Sequence, residues 1–315
     1  MKKILLKTIL IIVTMPLLIS AQPLNFGNTY TISSGADGYG RPRVALTNNQ
    51  PIIIWRKDSS PKTIRASKWN GTGFSNPYNI TLSGVLPDSW DGPELATKGD
   101  TVYVVFTSTA TTQSSIMLIR SFDGGNTFSD TIRVSENNPS HKFRMGNIKI
   151  DQNGHPIVSY MQYLLNWTEP KQMVNRSITY GDSFIGSTEG SFSAPGEPCD
   201  CCKSSLILDN NDIYLLFRNN INNERNSYIS KSTDGGQTFN LVADLDDYDW
   251  NVNGCPATGP LGVVNGDSLL IVRRSGGTGN NEIVYTNSNK LDLNYSYNRN
   301  ICLLYTSDAA DDSQC

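Results

Sequence analysis

This chain reads as an all-β protein, a β-propeller of four-stranded antiparallel blades, six-bladed when complete, with about five blades present. Two observations carry that reading. The segment SFDGGNTF, Ser121 to Phe128, returns almost letter for letter as STDGGQTF, Ser232 to Phe239. Five hydrophobic hairpins can also be laid over one another, with turns at Asn49, Gly99, Gly154, Asn211 and Gly266. The copies share one phase against the hairpins, which is the mark of a repeat with a unit of roughly fifty residues. A β-sandwich has no reason to repeat one segment at one phase.

The hairpins are RVALTNNQPIIIWR, ELATKGDTVYVVFTS, NIKIDQNGHPIVSYMQ, SLILDNNDIYLLFRN and PLGVVNGDSLLIVRRS, and a third strand is expected after each, in TIRASKW, IMLIRS, RSITY, SYISKS and EIVYTNS. In the repeated segment, Asp123 and Asp234 sit where a carboxylate accepts backbone N–H groups across a tight turn. Ser121 and Ser232 open it, Gly125 and Gly236 supply positive φ, and Phe128 and Phe239 plug it onto a sheet. Weaker copies stand at SKWNGTGF, Ser67 to Phe74, and SITYGDSF, Ser177 to Phe184. These segments resemble the Asp box, S-x-D-x-G-x-T-W/F, of sialidases and other BNR-repeat β-propellers.

The ends read differently. Lys2 and Lys3, an apolar run from Thr8 to Ile19 and LISA before Gln22 describe a secretory signal peptide over residues 1–21. That run is too short for a membrane span, and the protein is expected to be secreted or periplasmic and bacterial. Cys302 to Asp312, CLLYTSDAADD, resembles a translated sequencing adapter, so residues 302–315 are expected to be non-native and residues 22–301 to be a propeller cut short. Near the N-terminus, LNFGNTYTISS alternates as an outer strand closing the ring would.

A net charge of −3 without a basic run argues against nucleic acid as a partner. No phosphate-binding or dinucleotide fingerprint is present, and no cofactor is expected. Four cysteines lie outside the tail: Cys199, Cys201 and Cys202 in PCDCC, and Cys255 in GCP. Cys202 precedes its hairpin turn by nine residues and Cys255 precedes its own by eleven, which puts both at the entrance to the innermost strands of adjacent blades. A disulfide from the PCDCC loop to Cys255 would clamp those blades together, and a thiolate metal site is the alternative.

The same phase defines a rim. In an antiparallel blade, residues before the first strand share one end with residues after the second. That end collects Arg41, Arg43, Asp88, Trp90, Asp91, Arg144 and Lys203 with Arg56, Lys57, Asp58, Arg218, Arg273 and Arg274. Guanidinium forks suit a carboxylate, so an anionic glycan is the expected partner.

Sialidases grip the carboxylate of sialic acid with an arginine triad, and YGRP, Tyr39 to Pro42, falls where that family places Y/F-R-I-P. The resemblance implies that Arg41 or Arg43 is the first arginine, and that Arg218 or Arg225 in LLFRNNINNERNSYISKSTDGGQTF is the second. Arg144 and Arg273 are further candidates, and Asp91, Asp58 or Asp88 would be the acid/base. The family's glutamate has no counterpart in SSLILDNND, while Glu197 and Glu224 lie on adjoining loops. PCDCC and GCP resemble a group of secreted sialidase-like BNR proteins. Two readings follow: a glycoside hydrolase of exo-α-sialidase type, or a noncatalytic binding propeller clamped by its cysteines.

Overall fold

The structure is a computed structural model describing residues 27–33, 40–81, 87, 91–109 and 113–303. Two units are distinguished, Met1–Thr31 and Ile32–Cys315. The expected signal peptide, Tyr39, Asp88, Trp90 and residues 304–315 fall outside the described residues.

Five antiparallel sheets succeed one another along the second unit. The first holds β1 (Gly40–Thr47), β2 (Gln50–Lys57), β3 (Thr63–Lys68) and β4 (Tyr78–Asn79). The second holds β5 (Glu94–Lys98), β6 (Thr101–Ser108), β7 (Ser115–Ser121) and β8 (Ile132–Arg133). In the third are β9 (His141–Ile150), β10 (Pro156–Leu164), β11 (Lys171–Arg176) and β12 (Ser187–Glu189). The fourth has a divided first strand, β13 (Glu197–Pro198) and β14 (Ser205–Asp209), both paired with β15 (Asp212–Asn220), followed by β16 (Ser227–Ser232) and β17 (Leu241–Asp244). The fifth is β18 (Leu261–Asn265), β19 (Ser268–Ser275), β20 (Glu282–Asn289) and β21 (Tyr295–Leu303). First strands lie against first strands: β1 on β5, β5 on β9, β9 on β14 and β14 on β18. Among the described residues no helix is long and apolar enough to cross a membrane.

Burial on both faces explains why the second strands read as continuous apolar runs. Successive side chains point to opposite faces. In β6, Val102, Val104 and Phe106 join Ile52 and Ile54 between the first and second sheets, while Tyr103 and Val105 join Phe143, Val158 and Tyr160 between the second and third. In β15, Ile213, Leu215 and Phe217 face the third sheet, and Tyr214 and Leu216 face Leu269 and Ile271 of the fifth. The free face of the first sheet leaves Val44 67% and Leu46 56% exposed, and that of the fifth leaves Leu261 64% and Val263 59% exposed.

Two expectations are corrected. The third strand of the third sheet is KQMVNR, β11, rather than RSITY: Ser177 leaves the ladder to begin a turn in which Ile178 and Tyr180 are exposed. Residues 27–33, the described part of the segment expected to supply a ring-closing outer strand, form no strand.

The repeated segments fold into the same hydrogen-bonded turn. Asp123 Oδ1 accepts from the N–H groups of Asn126 at 2.9 Å and Thr127 at 3.0 Å, and Asp234 Oδ1 accepts from Gln237 and Thr238, each at 2.9 Å. Thr127 and Thr238 hydroxyls donate to the other carboxylate oxygen at 2.6 and 2.7 Å. Ser121 and Ser232 hydroxyls donate to the aspartates and accept from Gly125 and Gly236 N–H. Gly125 at φ 84° would set a Cβ 2.6 Å from Ile52 Cδ1, so the turn rests on the neighbouring sheet. In the third sheet Thr179 takes the aspartate's place, accepting from Ser183 N–H at 3.0 Å, and Ser177 accepts from Gly181 N–H at 2.8 Å.

Burial pushes both carboxyls up, but the donors from Thr127, Ser121, Thr238 and Ser232 outweigh it and hold Asp123 well below its usual range and Asp234 at about 2. A depressed folded pKa stabilises above the unfolded value of about 3.9 and loses that contribution as pH falls toward the folded one. Asp234→Ala is therefore expected to cost about 1 kcal/mol at pH 7 and to flatten the acid limb between about pH 4 and 2. Denaturant melts across that window check both.

Candidate functional site

A cavity of about 260 Å³ opens where the first strands begin, lined by Arg41, Arg43, Asp91, Met145, Cys201, Lys203 and Ala257. All five sheets contribute, because each lining residue stands within or just before a first strand of its blade. Two of those strands are bent to reach it. The ladder of β1 slips between Gly40 and Arg43, with Arg41 at φ 48°, and that of β9 slips opposite Ser159 and Met161, with Met145 at φ 61°. Bulges of this kind re-aim side chains. Arg41 lies over Gly92, where a Cβ would come within 2.6 Å of its own. In the fourth sheet, PCDCC interrupts the strand outright between β13 and β14.

Asp91 is buried at 6% exposure and ties two sheets, accepting from Thr107 Oγ1 at 2.9 Å and from Met145 N–H. Glu94, which the sequence reading passes over, organises the cations. Its Oε1 accepts from Arg43 Nη2 at 2.7 Å and Lys203 Nζ at 2.8 Å, joining the first, second and fourth sheets. Burial raises the Glu94 carboxyl, but Lys203 and Arg43 outweigh it and hold it below the usual range. The Glu94 hydrogen bond in turn raises Arg43. Arg41 is exposed, and its guanidinium has no partner among the described residues.

The other expected residues lie elsewhere. Asp58 is held by Arg56 Nε at 2.5 Å and does not line this cavity. Arg144 stacks on Trp167, 4.3 Å from the ring centroid. Arg218 is fully buried and donates to three main-chain carbonyls: Thr258 at 3.0 Å, Arg274 at 2.7 Å and Arg225. Burial lowers its pKa, and its guanidinium has no face left for a ligand. Arg225 donates to Cys199 Sγ at 3.4 Å. Arg273 is 3% exposed, bonded to Thr286 Oγ1, the Leu245 carbonyl and Asp246. Arg218 and Arg273 do not line this cavity; neighbouring carbonyls and side chains hold both.

Cys201 and Cys255 form a disulfide linking the fourth-sheet loop to the entrance of the fifth sheet. Cys199 and Cys202 are free and buried. All four sulfurs lie within 4.8 Å of one another, a spacing compatible with a thiolate metal set, but the disulfide removes two of the four thiolates such a set would need. A larger cavity of about 440 Å³ lies at the opposite, hairpin-turn end among Lys98, Asp151 and Gln152. There Lys98 is spent on the Asp151 and Gln152 carbonyls, and Asp151 on His155 and Asn153, which leaves little to recognise a ligand.

Solved structures with this architecture include glycan-active proteins. A Hadza microbial sialidase aligns at TM-score 0.57 with 16% identity, covering 84% of this chain and 59% of that one. The fold is a β-propeller of four-stranded antiparallel blades. A protein of unknown function from Dyadobacter fermentans DSM 18053 aligns at TM-score 0.58 and 14% identity, covering 85% and 83%. A leech intramolecular trans-sialidase, complexed with 2,7-anhydro-Neu5Ac, aligns at 0.57 and 11%, covering 87% and 63%. This chain spans less than two-thirds of the length of both sialidase-type chains. No protein-family model matches the sequence, and no curated protein is similar to it.

Replacing Glu94 with Gln strands two half-buried cations beside each other. The expected cost is about 2 kcal/mol, seen as a Tm lower by roughly 4–8 °C. In a double-mutant cycle with Lys203→Met the two losses should fall short of additive, and additivity within error would remove the coupling assigned to Glu94.

Proposed function

We propose that this protein is an exported, sialidase-like propeller that binds an anionic glycan in the cavity at the first-strand ends. The observation that carries this reading is the cation set around one cavity. Arg41 reaches solvent unpaired among the described residues, while Arg43 and Lys203 are fixed by one shared carboxylate. A guanidinium presents two parallel N–H groups to a carboxylate, and cations already held in place lose little freedom on binding. The glycan-active neighbours support a sugar as the ligand; the charge of the cavity supports an acidic one.

Binding is favoured over hydrolysis by the arginines. A triad around one carboxylate would need Arg218 or Arg225, and these are committed to carbonyls and to a sulfur. Hydrolysis stands as a second reading because Asp91 lines the same cavity as Arg41, where a carboxyl is placed as an acid/base would be.

Titration with sialylated and uronic-acid oligosaccharides against their neutral counterparts tests both readings. Arg41→Ala should weaken acidic-glycan binding by about 1.5–3 kcal/mol, roughly ten- to a hundredfold, and leave neutral-glycan binding unchanged. Arg218→Ala should instead lower stability, since it removes the donor to three main-chain carbonyls, of which that of Arg225 is bonded in a buried position. Release of free sugar that disappears in Asp91→Asn while binding persists supports the hydrolase; release that survives removes Asp91 as the acid/base. Absence of binding to any acidic glycan overturns the proposal.

A further inference from the structure

The four sulfurs occupy two states that the fold holds side by side. Cys199 and Cys202 are a buried dithiol in a C-x-x-C spacing, their sulfurs 2.8 Å apart, within about 0.8 Å of the ~2.05 Å of a disulfide bond. The Cys199 sulfur is also 3.6 Å from Cys201 Sγ, one half of the existing disulfide. Arg225 donates to Cys199 Sγ at 3.4 Å. The loop is firmly tethered: Cys199 N–H donates to the Arg218 carbonyl at 2.8 Å, Cys202 N–H to the Cys199 carbonyl at 3.2 Å, and Tyr163 Oη to the Asp200 carbonyl at 2.6 Å. A nucleophilic sulfur, a stabilising cation and an attackable disulfide therefore stand within bonding reach.

We propose that PCDCC and Cys255 form a thiol–disulfide exchange site that alternates between the Cys201–Cys255 disulfide and a Cys199–Cys202 disulfide. Cys199, as thiolate, attacks Cys201 Sγ; a Cys199–Cys201 bond forms, the Cys201–Cys255 bond breaks, and Cys255 leaves as a thiolate that takes up the proton Cys199 lost. Cys202 then attacks Cys199, forming the Cys199–Cys202 bond, and Cys201 leaves with the proton from Cys202. One disulfide and two thiols exist before and after, so no outside oxidant or reductant enters. The Cys202 hydrogen bond lowers Cys199 against the opposing effect of burial, with Cys201 N–H and Arg225 adding to the lowering, while the same bond and burial push Cys202 up. Of the two thiols, Cys199 is the one suited to attack first.

The exchange changes what the surface offers. In the described state the Cys199 and Cys202 thiols are fully buried and the fourth and fifth sheets are tied. In the exchanged state the tie opens, with free thiols on Cys201, in the wall of the anion cavity, and on exposed Cys255, open to disulfides and soft electrophiles.

A bulky maleimide applied to the native full chain without reductant, followed by acid quench and peptide mapping, reads the exchange. Cys255 should accumulate label while Cys199 is recovered in a disulfide with Cys202. Cys199→Ser should slow Cys255 labelling by at least about tenfold. Cys202→Ser should leave Cys255 labelled, with Cys199–Cys201 recovered as the trapped disulfide. The proposal is overturned if Cys255 stays unlabelled while denaturation exposes thiols on Cys199 and Cys202 alone. It is equally overturned if all or none of Cys199, Cys201, Cys202 and Cys255 are labelled in the denatured chain, or by Cys255 labelling that ignores Cys199→Ser.

Discussion

Burial of both faces of every inner sheet is the constraint on which the site depends. A second strand such as β6 or β15 is covered on each side by a neighbouring sheet, and its alternating residues belong to two different cores. A strand held that way cannot slip by one residue, because slipping would exchange the contents of both cores at once. Register fixed in the second strands fixes the first strands paired with them. The starts of β1, β5, β9, β14 and β18 are thereby brought to one end, and residues with no sequence proximity line one cavity.

Charge works within that frame rather than creating it. Glu94 alone would be an expensive carboxylate to bury, and Arg43 and Lys203 alone would repel each other. Together they give two cations one anchor, with residual positive charge supplied by Arg41. Asp91 serves a different end, since its contacts to Thr107 and Met145 N–H join the second sheet to the bulge of the third. A buried carboxylate that satisfies a bulge is a structural part in its own right. Any chemistry it performs must leave at least one of those bonds in place.

Elements defined by local pattern were legible in the sequence. The hairpin turns, four of the five third strands and the two aspartate turns depend on neighbours within a few residues, which a motif records directly. KQMVNR was displaced to RSITY because Ile178 and Tyr180 look like strand residues, although they lie exposed in a turn that Ser177 opens. The site was legible only where phase decides position. Arg41, Arg43, Asp91 and Lys203 share the position just before or within a first strand, and they line one cavity. Glu94 has that phase too, at the head of β5, and would have been found by reading acids at that phase as closely as arginines. Arg218 and Arg273 could not be placed from sequence, because the carbonyls of Thr258, Arg225, Arg274 and Leu245 that absorb them come from loops whose path no local pattern states.

The cysteine loop shows how an interruption in the ladder becomes useful. A first strand running straight from Glu197 to Asp209 would spend its backbone on β15 throughout. Dividing it into β13 and β14 frees the intervening residues to turn toward the strand entrances while Cys199 N–H keeps a bond to β15. Backbone released from a ladder must find other partners, and here Cys202 N–H and the carbonyl of Asp200 find them in Cys199 and Tyr163. The loop is therefore fixed without being part of the sheet. That combination holds sulfur atoms at bonding distance from one another and sets Lys203 against Glu94, so one local break in pairing supplies both the cross-sheet tie and a cation of the cavity.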